Sequence, residues 1–260
     1  MYYLAAGTLN IKLKQDASDF STENHKVIAI CDGIGGIDGS ESIAKYIAEH
    51  IIPSEKPYFP IYNSEIFQKI KQQDITGGTT LIHLEVLKNE ACINYLGNGG
   101  IIHLQGDYQS KKYAENIYQY TQLLNPHVSK KGELVRYISK HSTPGTLQSS
   151  SIQVSLNNPT GDIILLFSDG INSLEVNPII TDDDGRYWRN ESDCIHFILN
   201  ELDKHLKANC DSSIFQENLP QFIDNTLNNL NTQNMIEDDA SLGVLISDKV
   251  IQHYRSLKND

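Results

Sequence analysis

Three acidic positions in this sequence stand where strand-like apolar runs begin or end. IAICDGIGG (28–36) sets Asp32 directly after one run and follows it with Gly33, Gly35 and Gly36. GDIILLFSDG (161–170) sets Asp169 after a second run and before Gly170, and MIEDDASLGVLIS (235–247) sets Asp238 and Asp239 just before a third. Carboxylate oxygens are what hard cations such as Mg²⁺ and Mn²⁺ prefer, and two such ions side by side need a bridging carboxylate plus terminal ones. Ions held in that way acidify a shared water and neutralise the oxygens of a phosphate during in-line attack, so no nucleophile from the protein is needed. That chemistry suits a chain with no GxSxG elbow and no cysteine in a setting that would lower its pKa. Any one of these sites alone is ordinary turn chemistry. The set of acids carries the metal reading.

The elements that must position these acids are strands first and helices second. Apolar, β-branched runs predict strands near 2–9, 26–31, 79–87, 91–96, 100–105, 162–168 and 241–247, enough for two sheets. Amphipathic periodicity predicts helices in SESIAKYIAEHI, where Ile43, Ala44, Ile47, Ala48 and Ile51 share a face, in SEIFQKIKQQ, in ESDCIHFILNELDKHL and over 214–230. The Asn-rich stretch NTLNNLNTQN (225–234) reads as a frayed helix end and a loop leading to the last strand, and PSEKPYFP (53–60) as an interruption that shortens the first helix pair.

At 260 residues with no Pro- or Ser-rich linker, the chain reads as a single domain, 1–260. The net charge of −12 argues against partners held by non-specific phosphate contacts, so neither nucleic acid nor an anionic membrane surface is expected. No apolar stretch approaches the ~20 residues that span a bilayer, and the amino end has no secretion-signal pattern, so a cytoplasmic protein is expected. Cys31, Cys92, Cys194 and Cys210 form no CxxC pair, and the nine histidines form no HExxH, which leaves thiols and imidazoles out of the metal argument.

In order along the chain, several pieces together resemble the PPM family, the metal-dependent serine/threonine phosphatases of type 2C. KQDA (14–17) is similar to the family's first acidic motif, CDGIGG to its Asp-Gly-x-Gly-Gly turn and GGTT (77–80) to its Gly-Thr-Thr strand start. YLGNGGIIHL is similar to its Gly-Asp-Ser-Arg hairpin, FSDGI to its Ser-Asp-Gly element and EDDASLGVL to its closing Asp-Asn strand. The resemblance implies an α+β fold, a four-layer α-β-β-α sandwich of two mainly antiparallel sheets flanked by helices, here with a somewhat trimmed helix layer. It implies hydrolysis of phosphoserine or phosphothreonine in proteins by a hydroxide bridging two Mg²⁺ or Mn²⁺ ions. By motif position Asp32 would bridge the ions, the Gly33 carbonyl would join one, Asp169 and Asp238 would complete the other, and Asp16 would act nearby through water. A phosphorylated protein is the implied substrate, with a paired Ser/Thr kinase as its source and a monomer as the working form.

The sequence also departs from the pattern. Asn98 stands where the family has the Asp of Gly-Asp-Ser-Arg; an amide brings no negative charge, so a third ion is expected to bind poorly or not at all. Ile34 takes a place where some members carry a histidine thought to protonate the leaving group. The arginine that grips the substrate phosphate is missing, leaving Lys12 or Lys14 as a point-charge substitute. Lys14 and Gln15 replace the usual Asn-Glu. In the family the region of HVSKKGELVRYISKHSTPG (127–145) often forms a flap beside the site; here it concentrates Lys130, Lys131, Arg136, Lys140 and His141, which as a lysine-rich run is otherwise ordinary solvated surface. TDDDGRYW (181–188) lacks the ligand pattern of a calcium loop and reads as an Asp-Gly turn.

Two other functional readings compete. A catalytically weak or inactive PPM-fold module that binds phosphoproteins or regulates is motivated by Asn98 and the missing arginine. A dinucleotide-binding enzyme is suggested by VIAICDGIGG and helix 40–51, but Asp38 falls where the last glycine should be and Asp32 would face the pyrophosphate.

Overall fold

The computed structural model describes residues 1–23, 25–52, 59–109, 120–171, 180–181, 187–188 and 193–259. Two five-stranded sheets form the centre. The first is built from β1 (Tyr2–Leu9), β6 (Gly100–Gln105), β7 (Thr121–Gln122), β9 (Asp162–Phe167) and β12 (Ala240–Ser247), in the order β1-β12-β9-β6-β7. The second is built from β2 (Ala17–Ser21), β3 (Val27–Cys31), β4 (Leu81–Leu87), β5 (Glu90–Leu96) and β8 (Ser150–Ser155), in that order. Every pairing within the two sheets is antiparallel. A short antiparallel pair, β10 (Ile180–Thr181) and β11 (Tyr187–Trp188), stands apart from both. The Asp-Gly turn expected within 181–188 falls mostly outside the described residues.

Strand alternation accounts for the layers. Side chains on a strand point to opposite faces with period two, so a strand buried on both sides must be apolar throughout. Strand β9 meets that condition after its first residue, Asp162: Ile163, Leu165 and Phe167 enter a cluster with helix residues, while Ile164 and Leu166 join the cluster between the sheets. β3 divides likewise, with Ile28 and Ile30 facing the opposite sheet and Val27, Ala29 and Cys31 facing helices. α1 (Ser40–Ile51) and α2 (Glu65–Gln72) cover the second sheet through Ile43, Ile47, Ile51, Phe67 and Ile70. α3 (Asp193–Asn209), α4 (Phe215–Thr232) and α5 (Asp248–Asn259) cover the first through Leu199, Leu202, Ile223, Leu227, Val250 and Tyr254. The outcome is the expected α-β-β-α sandwich, with α2 only eight residues long.

Several elements differ from the expectation. The Asn-rich stretch is helix as far as Thr232, because its polar residues satisfy carbonyls one turn back: Thr226 Oγ1 donates to Phe222 O, Asn228 to Asp224 O and Thr232 to Asn228 O. Strands β2, β7 and β8 and helix α5 were not expected. β8 is an edge strand with one neighbour, and its burial alternates, but only Ile152 and Val154 among its side chains are apolar, too few to stand out as a strand. The four cysteines are free, and all but Cys92 are buried.

Candidate metal centre

The loops at one end of the two sheets converge on a cleft of about 230 Å³. Asp32 enters it as β3 ends. Its backbone is clamped by the chain before β4: Thr80 N–H donates to Asp32 O at 2.8 Å, Thr79 Oγ1 donates to the same oxygen at 3.0 Å, and Asp32 N–H donates to Thr80 Oγ1 at 3.2 Å. Ile34 N–H donates to Gly78 O at 2.9 Å, so the turn after Asp32 is held on both sides. At Gly33 a Cβ would lie 2.6 Å from both Cβ and O of Gln15, so the glycine is required for the loop ahead of β2 to lie against the turn.

Asp16 ends that loop. It is buried, and its Oδ2 accepts from Ser241 Oγ on β12 at 3.1 Å. Asp169 opens a single 3₁₀ turn after β9, and its Oδ2 accepts from Asn98 Nδ2 at 2.6 Å. Gly170 lets this turn meet the chain before β12, since a Cβ there would be 2.0 Å from Asp239 O.

Asp16, Asp32 and Asp169 share the cleft closely enough for their carboxyls to act on one another electrostatically, Asp32 on both of the others. All three line the cleft, Asp16 buried at its floor and Asp32 and Asp169 half-buried. Lost hydration, followed by the charges of Asp169 and Asp16, holds the Asp32 carboxyl well above the usual carboxylate range. Lost hydration likewise pushes Asp16 up to about 7, helped by Asp169 and opposed by hydrogen bonds from Ser168, Ser241 and Asp32. Three acids so placed cannot all ionise without a positive charge among them.

Two residues that line the cleft, Gln15 and Asn98, also carry unsatisfied oxygens. Gln15 Oε1 and Asn98 Oδ1 are buried and have no hydrogen-bond partner in the structure. Among the described residues no group of three or more His, Cys, Asp or Glu side chains is preset as a metal cage. The donor chemistry nonetheless fits hard divalent cations, because mutually repelling carboxylates and unsatisfied amide oxygens are what such ions satisfy.

The other expected site residues are distributed around this centre. Asp238 lines the cleft but stands to one side, its Oδ1 accepting from Asp239 N–H at 3.0 Å and its Oδ2 lying 4.0 Å from Lys12 Nζ. Lys12 is thus at the mouth. Lys14 is not: it adopts a left-handed backbone (φ 56°) and lines a separate pocket of about 350 Å³ beside α1, with Lys45 and Glu49.

Sequence reasoning assigned no role to Asp239. Its carboxylate is buried and accepts three backbone N–H groups of the 10–16 loop: Ile11 at 2.6 Å, Lys12 at 2.8 Å and Gln15 at 2.8 Å. The doubled acid before β12 was the available signal, since neighbours at a strand entrance point to opposite sides. His127 was also missed. Its Nδ1 accepts from Gly97 N–H at 3.1 Å and its ring stacks on Tyr95, which steadies the turn that carries Asn98.

Two antiparallel sheets between helical layers, with acids from separate strand ends meeting in one cleft, define the fold of the PPM-type serine/threonine phosphatases. The chain has that fold. It is similar to the serine/threonine phosphatase Stp1 from Staphylococcus aureus, with a TM-score of 0.61 at 14% identity over 95% of each chain. It is similar to the serine/threonine phosphatase PstP/Ppp from Mycobacterium tuberculosis, with a TM-score of 0.55 at 16% identity over 94% of this chain and 98% of that one. PppA, a key regulatory component of the T6SS in Pseudomonas aeruginosa, gives a TM-score of 0.59 at 17% identity over 94% and 96%. No protein-family model matches the sequence, and no curated protein matches it.

Proposed function

We propose that this chain hydrolyses phosphoserine and phosphothreonine in proteins, using two Mg²⁺ or Mn²⁺ ions. The observation that carries the reading is the meeting of Asp16, Asp32 and Asp169 from three distant segments in one cleft, where the charge of Asp169 disfavours ionisation of both Asp32 and Asp16. Asp32, Gly33, Asp169 and Asp238 all line this cleft, and these residues would hold the ions, with Asp32 as the ligand common to both. When bound, the ions supply charge neutralisation of the phosphate and a water acidic enough to attack near neutral pH.

The protein's own groups do the rest. The three amide bonds to Asp239 fix the 10–16 loop, which delivers Asp16 and Gln15 to the floor and Lys12 to the rim. Lys12 offers the incoming phosphate a cation as a point charge rather than a two-pronged fork. Asn98 aims the Asp169 carboxylate through its 2.6 Å bond and adds no charge, which leaves a third ion without an acid at this position.

The same two residues favour a second reading, a PPM-fold module that binds phosphoprotein with little or no turnover. Lys12 already has Asp238 as a neighbour, and Asn98 replaces an acid. Release of phosphate from p-nitrophenyl phosphate and a phosphothreonine peptide, with Mn²⁺ and after chelation, separates the readings. Metal-dependent turnover that Asp169→Ala removes supports the enzyme. Absence of turnover in the unaltered protein, at a metal concentration where calorimetry shows binding, leaves the module.

A further inference from the structure

Among the described residues few large apolar side chains are exposed, and those few are concentrated. Of the eight large ones among the described residues, Leu13, Ile37, Val128 and Val135 lie in the three segments that frame the cleft, 10–16, 33–39 and 127–135. Within the cleft wall itself stand Leu13, Ile34 and Leu134, one from each segment. Leu13 is 48% exposed, an unusual position for a leucine beside a floor of carboxylates. Single exposed apolar residues are normal on any protein; exposed Leu13 and half-buried Ile34 and Leu134, from separate segments around one opening, are a surface with a shape.

The basic residues of the 127–145 segment do not face this opening. Arg136 donates to Gln148 O at 3.1 Å and Lys140 pairs with Asp74 at 2.6 Å. Lys130 and Lys131 occupy the exposed turn closed by Gly132 N–H to Ser129 O, outside the cleft lining. The segment is pinned to the sheet by reciprocal bonds between Thr79 and Ile138 at 2.9 and 2.8 Å, and the side chain it turns to the cleft is Leu134. A ligand whose phosphate reaches the acidic floor therefore meets leucine and isoleucine on the way in. Among the described residues the cation at the mouth is Lys12, which has Asp238 beside it, so an acidic neighbour on the ligand gains little there and a basic one finds Asp238 already engaged.

We infer that the cleft selects phosphopeptides with an aliphatic residue next to the phosphorylated one, and that Leu13, Ile34 and Leu134 determine this choice. The inference rests on the phosphate-binding reading of the floor and not on turnover. It is tested with peptides in which phosphothreonine is replaced by its non-hydrolysable phosphonate and the residues flanking it are Leu, Lys or Glu. Binding to the full chain is measured by fluorescence anisotropy with Mn²⁺ present. The leucine peptide is expected to bind about fivefold tighter than the others, the gain for half-burying one such side chain. Leu13→Ser and Leu134→Ser should each bring the ratio towards one. Equal affinity for the three peptides, a ratio that both variants leave unchanged, or no binding of any peptide overturns the inference. A clear preference without phosphate release on ordinary phosphopeptides upholds it while the catalytic reading fails, and release without preference does the reverse.

Discussion

Asp239→Ala removes the acceptor of three amides at once. A hydrogen bond to a charged group contributes about 1.5–3 kcal/mol net, and a buried donor left without a partner costs about 1–3 kcal/mol. Not all three donors count in full, because Lys12 is exposed and water can reach its amide, whereas Ile11 and Gln15 are partly covered. The expected loss is therefore about 2–4 kcal/mol, out of a total that for folded domains is about 5–15 kcal/mol. The loss has an upper limit: once the 10–16 loop undocks, the rest of the sandwich is no longer strained by it. Asp239→Asn keeps one acceptor oxygen but turns an N–H towards at least one of the donors, so it should fall between the native protein and the alanine variant. Urea unfolding measures the change, and amide hydrogen exchange shows where it acts. Residues 11–16 should exchange at least tenfold faster in the alanine variant, with β9 and β12 unaffected, since ~1.4 kcal/mol of local opening is a factor of ten. A midpoint shift worth under about 1 kcal/mol together with unchanged exchange in the loop would refute the anchoring argument.

Other outcomes follow from single sites. His83 sits on β4 with its imidazole pushed down to about 4 by burial, so the folded protein holds it neutral where the unfolded chain protonates it. Stability from this source is complete above about pH 6.5 and is lost as the pH falls towards 4, up to ~3 kcal/mol at ~1.36 kcal/mol per pKa unit. Asp16, raised to about 7, acts in the opposite sense over the same window, so the measurement is the difference between the native protein and His83→Gln; a flat difference from pH 7 to 4 counts against it. Gly33→Ala places a methyl 2.6 Å from Gln15, and the loop must shift. Calorimetric Mn²⁺ affinity should drop tenfold or more, in line with disturbed support of metal ligands, and an unchanged isotherm would mean that the contact does not position the site.

The two-sheet core was legible because its strands are apolar on both faces. DIILLF and SLGVLI can hardly be anything but central strands, and the helices over residues 40–51 and 193–209 announce themselves through evenly spaced isoleucines and leucines. What escaped were elements stabilised from outside. ASDFS becomes β2 because β3 offers it a ladder, and DKVIQHYRSLKN becomes α5 through few apolar anchors, chiefly Val250, Ile251 and Tyr254, which a window-based reading passes over. The acids at strand ends were visible for the reason that makes them useful, an abrupt change from apolar to charged. Their meeting was an expectation from motif order. The loop that completes the floor was not readable, since Asp239 binds amides 224 to 228 residues away, and the left-handed turn at Lys14 that sends one lysine to the cleft and the next to another pocket leaves no trace in composition.

Strand β1 has a single neighbour in its sheet, and that neighbour is β12, paired with it from Tyr2↔Ser247 to Leu9↔Ala240. During synthesis β1 must therefore wait for β12, made more than 230 residues later, before it can be zipped in, and the contact between Asp16 and Ser241 waits with it. A nick that frees β12 would therefore release β1 as well and take from Asp16 the hydroxyl of Ser241.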